Sequence, residues 1–365
     1  METMRYEHIT SQGAKLLYTM ENGHAIITKL AEPFAGVLVL PAVIDEHPVT
    51  EIGGAAFAGC KALTSVCLPE SVTKIWFDAF ADCIGLTSVI IPKRVTTIEP
   101  NVFDGCSRLK IEVDERNPAY CSRDGVLFDK AMRTLVAAPG VKGEYVIPED
   151  VECIAEGAFE ENANVRSVII PKRVAMIEEA AFSGCSALTS IVIPKGVRVI
   201  KEAAFRWCDS LTLAVISESV TNLSPEAFIN CPVQQINVDA NNPSYCSRDG
   251  VLFDKAMRTL IVASGVTDGY VIPEGVTCIE CCAFSENKAL TTIRIPNGVT
   301  DIGEWAFCGC DNLRTIWFEG APPKMTDDWW LEFAVGRYPA AFREAWEAVL
   351  DENGCWHGLR MEPEA

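Results

Sequence analysis

The sequence predicts a β-rich solenoid of nine repeat units, each about 23 residues long, with two β-hairpin inserts and a cap at each end. Three observations carry this. An Ala-Phe pair recurs along the chain, and the residues around it recur in phase with it. In addition, one sixteen-residue stretch, YCSRDGVLFDKAMRTL, occurs twice, at 120–135 and 245–260.

The repeat phenylalanines are Phe57, Phe80, Phe103, Phe159, Phe182, Phe205, Phe228, Phe284 and Phe307. Val102 replaces the alanine before the third. Intervals are 23 residues except Phe103 to Phe159 and Phe228 to Phe284, which are 56, one unit plus 33 residues. Around each Phe the unit reads V-T-x-I-x-x-x-A-F-x-x-C-x-x-L-T-S-V-x-I-P, as in Val174, Ile177, Phe182, Cys185, Leu188, Ile191, Ile193 and Pro194. V-T-x-I is a first short strand. L-T-S-V-x-I is a second, with alternate residues facing inward. Proline ends it because it cannot donate to a continuing ladder. Between the strands, A-F-x-x-C is a tight corner with Phe pointing in. One such unit cannot bury its own apolar face, but stacked units can. At ~4.8 Å per strand, nine units predict an array on the order of 40 Å long.

This pattern resembles the BspA-type (Treponema-type) leucine-rich repeat of bacterial cell-surface proteins, over about residues 25–320. The resemblance implies a leucine-rich-repeat array, non-enzymatic binding or adhesion, and a cell-surface or secreted location. The first residues, METMRYEHITSQGAKLLY, lack the basic-then-apolar shape of a signal peptide, so a cytoplasmic location is the alternative.

The organisation expected is a capping hairpin at 1–36, the solenoid at 37–320 with inserts at about 114–148 and 239–273, and a C-terminal cap at 321–365. In the cap hairpin, Leu16–Met20 and Ala25–Thr28 flank an Asn22-Gly23 turn. Each insert opens on Asn-Pro (117–118, 242–243) and has an Asp-Gly turn signal (124–125, 249–250). A hairpin follows, with Val126–Phe128 and Thr134–Val136 flanking a loop at 129–132. In the C-terminal cap, Phe342, Ala345, Trp346, Val349 and Leu350 recur at helical spacing, with Trp329 and Trp330 as a plug before them.

Composition excludes several function classes. Net charge is −19 with no basic stripe, which repels nucleic acid. No apolar run is long enough to span a membrane. Asp124 and Asp249 sit several coils apart in a stacked array, too far to serve one substrate as a carboxylate pair. Cys60, Cys83, Cys106, Cys185, Cys208, Cys231 and Cys310 all lie three residues after the repeat Phe, a slot that holds Asn at 162 and 287. That slot calls for a small side chain that hydrogen-bonds backbone at a buried corner, and its thiols are expected to be free. Cys278, Cys281 and Cys282 form the one C-x-x-C, and no His lies between 48 and 356 to complete a zinc site. Glu156, Glu179, Glu202 and Glu304 share one slot and read as a solvated edge.

The expected function is therefore recognition of a protein or glycan partner by a monomer, without enzymatic activity, cofactor or metal. The alternatives are an intracellular protein-interaction scaffold, or an enzyme with a site in the caps around His24, His47 or His357. The recognition surface is placed at the outward position of the L-T-S-V-x-I strands in mid-array. There Ile169, Val192 and Val215 give an apolar strip lined by Arg166, Thr189 and Thr212.

Overall fold

The computed structural model describes residues 5–325 and 334–364. It divides into two compact units, 1–188 and 189–365, each a parallel β-solenoid capped at one end. Trp329 and Trp330 lie outside the described residues.

The first unit begins with strands Tyr6–Ile9, Lys15–Glu21 and His24–Leu30, paired antiparallel in that order. Asn22 and Gly23 turn the hairpin with φ of 48° and 80°, the left-handed pair a two-residue hairpin needs. Tyr6–Ile9 is an addition to the expected hairpin, because its mixed polar sequence carries no alternation. His24–Leu30 then pairs parallel with His47–Ile52, and from there the chain stacks coil on coil.

Each coil contributes a short and a longer strand. The V-T-x-I segment forms strand only at its last two residues, as in Lys74–Ile75 and Thr97–Ile98. The longer strands are Gly36–Val39, Leu63–Cys67, Ser88–Ile91 and Lys110–Val113, all parallel.

The corners stack as expected. Phe57, Phe80 and Phe103 are buried with ring centroids 5.1 and 5.8 Å apart, and Phe159 stacks on Phe182 at 4.8 Å. Backbone bonds join successive corners, including Phe57 N–H to Ala79 O (2.8 Å) and Phe80 N–H to Val102 O (2.9 Å). The cysteine slot closes the corner. Cys83, Cys106 and Cys185 each donate Sγ–H to the carbonyl of the preceding repeat Phe at 3.1–3.2 Å. Asn162 donates to two carbonyls, Ala138 and Val141, and accepts from the N–H groups of Asn164 and Val165.

The first insert is more than a hairpin. Tyr120–Arg123, Val126–Asp129 and Thr134–Ala137 form an antiparallel three-stranded meander, turned first by Asp124-Gly125. The second turn is tied by Asp129, whose carboxylate accepts from Arg133 and Thr134 N–H. Thr134–Ala137 then pairs parallel with Cys153–Ile154, and Gly143–Val146 pairs parallel with Val165–Ile169. The insert thus contains a shortened coil of the array that lacks the Phe corner.

The second unit repeats this plan. Ser190–Ile193, Leu213–Ile216 and Gln235–Val238 form one parallel sheet. The insert strands Tyr245–Arg248, Val251–Asp254 and Thr259–Val262 follow, and Tyr270–Val271 pairs with Thr292–Ile295. One corner departs from the rest: Pro225–Phe228 is a 3₁₀ turn capped by Ser224. At the C-terminus the expected helix is shorter than its pattern suggests, comprising a 3₁₀ turn at Ala340–Phe342 and an α-helix at Arg343–Glu347. Trp346 is buried and Phe342 and Leu350 partly so, whereas Ala345 and Val349 are exposed. Most of the cap is sheet: Val335–Tyr338 and Leu359–Pro363 extend the parallel array beyond Thr315–Phe318. Trp346 fills the end, stacked on Tyr338, edge-on to Trp356, and donating Nε1–H to Gly320 O at 2.9 Å. No helix among the described residues is long and apolar enough to cross a membrane.

Candidate functional site

The longer strands present one face to the core and the other to solvent. In the second unit Ile191, Ile193, Ala214, Ile216 and Ile236 point inward and are buried. Between them, Val192, Val215 and Asn237 are register partners on the outer face. Val192 is 56% exposed, Asn237 exposed and Val215 half-buried. Thr189 and Thr212 flank the strands and are exposed, and Thr212 donates both N–H and Oγ1–H to Thr189 O. Four of the six expected residues therefore share one surface in this unit.

The second insert borders that surface without covering Val192. Its Asp249-Gly250 turn docks on the edge strand, with Ile236 N–H donating to Gly250 O and Val238 N–H to Ser247 Oγ, both at 3.0 Å. A groove of about 580 Å³ opens there, lined by Thr212, Gln234, Gln235, Asn237, Ser247 and Asp249. Its amides and hydroxyls offer paired donors and acceptors without a dominant charge, a lining suited to sugar hydroxyls or peptide backbone.

Arg166 and Ile169 belong to the first unit, on Val165–Ile169. Both are exposed, and Ile169 has Val146 as its register partner. Sequence reasoning passed over Val146 and its counterpart Val271, which are 57% and 54% exposed. A signal existed, since Tyr145-Val146-Ile147-Pro148 ends as the V-x-I-P of a repeat strand ends. The outward position of the repeat strands also carries Arg294 and Trp317, as strand alternation predicts, and the structure adds Arg337 as the next register partner, with each guanidinium 5.3 Å from the indole centroid.

Among the described residues no group of three or more His, Cys, Asp or Glu is placed to hold a metal ion. His47 Nδ1 is 3.0 Å from Gly23 O, fastening the N-terminal hairpin. Burial pushes the Cys310 thiol up to about 12 and the Cys231 thiol well above its ordinary value, which keeps both protonated and unreactive.

The repeats match the BspA-type leucine-rich repeat region in six copies, over residues 34–116, 143–247 and 267–327. Among solved structures, a leucine-rich cell surface protein from Faecalibacterium prausnitzii is similar at 24% identity and a TM-score of 0.51, covering 100% of this chain and 94% of that one. A leucine-rich-repeat protein from Eubacterium ventriosum is 20% identical, with coverage of 90% and 98% and a TM-score of 0.44. No curated protein matches the chain. The in-phase corners, the stacked strands and a family match over well over half the sequence lead to one conclusion: the chain belongs to the BspA-type leucine-rich repeat family.

Proposed function

We propose that this protein is a non-enzymatic recognition or adhesion protein of a bacterial surface, which binds a protein or glycan partner through the outer face of its longer strands. The observation that carries this reading is the pair Val192 and Val215, apolar side chains set side by side on a solvent-facing sheet between Thr189 and Thr212. A protein gains nothing in its own core from an outward valine that is 56% exposed, and apolar centres rimmed by polar groups are how partner surfaces are built. The corresponding face of the first unit offers Arg166, Ile169 and Val146. A surface location is supported by family membership and by the cell-surface description of the F. prausnitzii protein.

The test is a labelled chain applied to glycan and extracellular-protein arrays, followed by Val192→Lys against the hits. Binding lost with an unchanged melting temperature supports the surface. Binding retained by the variant removes it.

A further inference from the structure

The duplicated sixteen residues build the same groove twice, once in each unit. In the first unit it lies between the hairpin turn Arg123-Asp124 and the returning strand, with Tyr145, Val146, Pro148 and Glu149 completing the lining. In the second it lies between Arg248-Asp249 and Tyr270, Val271, Pro273 and Glu274. Volumes are about 530 and 400 Å³. Seven lining positions correspond in residue type, from the Arg-Asp pair to the Glu after the proline, although only the hairpin half is part of the identical stretch. Met132 and Asp150 line the first groove only, and Gly275 stands where Asp150 does.

Three features define what such a groove takes. First, its strand is terminal: Gly143–Val146 pairs only with Val165–Ile169, and Tyr270–Val271 only with Thr292–Ile295, among the described strands. Ile147 and Ile272 N–H point to those partner strands, bonding Ile169 O and Arg294 O, so the alternate amides face away, toward the groove. An open strand edge beside a groove is a template for an added extended peptide. Second, tyrosine, valine and proline form an apolar wall suited to an aliphatic stem. Third, the rim is acidic. Asp124 and Glu149 face Arg123 in the first groove, where Asp150 is paired with Arg173 at 3.6 Å, and Asp249 and Glu274 face Arg248 in the second. Asp124 and Asp249 are 87% and 83% exposed and sit 3.8 and 3.5 Å from their neighbouring arginines. In each groove the aspartate also acts on the tyrosine hydroxyl, which burial first and then the nearby carboxylate push up to about 12.

We propose that each duplicated hairpin and the terminal strand beside it form a binding groove for an extended, lysine-bearing peptide segment, giving two equivalent sites per chain. The peptide adds to the open edge of the strand. A lysine side chain lies along the tyrosine and valine with its ammonium among the rim carboxylates. This site does not include Val192, although Asp249 also lines the groove beside Asn237 and Val146 also belongs to the outer face of the first unit.

The probe is an alternating lysine–valine hexapeptide, capped at both ends and titrated calorimetrically into the full chain. Two sites per chain are expected. Asp124→Asn and Asp249→Asn should each weaken one site at least tenfold, and the double variant both. Asparagine tolerates the left-handed φ of 55° and 53° at these positions, so the turns survive, and an unchanged melting temperature verifies this. A peptide N-methylated at alternate amides should lose binding in one of its two registers of methylation. A double variant that binds as the parent does would reduce the effect to general attraction by an acidic chain and overturn the proposal, as would equal binding of a glutamate–valine peptide. Val192→Lys should leave this titration unchanged, so the two surfaces stand or fall separately.

Discussion

Left-handed backbone angles bracket almost every corner. The residue two places before the repeat Phe has positive φ at Ala55, Asp78, Asn101, Gly157, Ala180, Ala203, Cys282 and Trp305, and the residue two places after it at all nine corners, from Gly59 to Gly309. Most of these are not glycine, and each such residue costs about 1–2 kcal/mol. Burial of the ring between them offsets that cost. Phe182 is fully buried and stacks on Phe159 at 4.8 Å, so Phe182→Ala should destabilise the fold by about 3–5 kcal/mol in chemical denaturation. A loss below ~1 kcal/mol would mean that the column does not hold the coils together. At this scale the Phe and Cys positions were legible, because burial and a shared hydrogen bond confine them to a few residue types. The strained positions were not, since Ala, Asp, Asn, Cys and Trp share no chemistry that marks φ. The outward valines were legible through strand alternation, whereas Gln235 and Asn237 became site residues only once the second hairpin was seen against them.

Where a coil lacks its Phe corner, the corners on either side are left facing each other. In the first unit this leaves a cavity of about 110 Å³ bounded by residues 98–104, 136–139 and 155–160. Asp104 and Glu160, each the residue after a repeat Phe, meet there and interact electrostatically, with Glu99 and Glu156 also on the lining. Burial, then the Glu160 charge, pushes Asp104 up to about 9, and Asp78 and Glu161 add to the rise. Burial raises Glu160 as well. The folded chain therefore holds a proton that an unfolded Asp, ordinarily near 3.8, releases. Its stabilisation is complete below that value and is lost progressively as pH rises toward about 9. Melting temperature should fall between pH 5 and pH 8, and Asp104→Asn should flatten that slope and raise the melting temperature at pH 8. An identical slope in the variant would place the proton elsewhere. The second unit has Ile229 and Ser285 in the equivalent slots, and there Ser285 Oγ accepts from Asn230 N–H at 3.1 Å. Of these elements, the hairpins were legible from their Asp-Gly and Asn-Gly turns. The shortened coil inside each insert was hidden because it lacks the phenylalanine that marks every other coil. The C-terminal strands were hidden because Val335–Tyr338 is four residues with a glycine in it, beside a stronger helical pattern.

Across the molecule, each unit is a run of coils whose neighbours are related by the same 23-residue step, and that step sets which changes of length the chain tolerates. Removing residues 58–80 would bring Phe57 into the place of Phe80, where its N–H meets the Val102 carbonyl and its ring the Phe103 ring, and every later contact is kept. Removing residues 58–77 would leave each side chain in the N-terminal coils three places out of register with the column it must join. The first deletion should give a cooperatively melting protein with unaltered far-ultraviolet circular dichroism per residue, and the second should not. The same arithmetic holds for gain. A recombination event that copies one whole coil, or the larger block containing a hairpin, inserts without a seam, while any other length leaves unpaired corners. Chain length here is quantised, and descendants of such a gene should differ from one another by whole coils rather than by scattered residues.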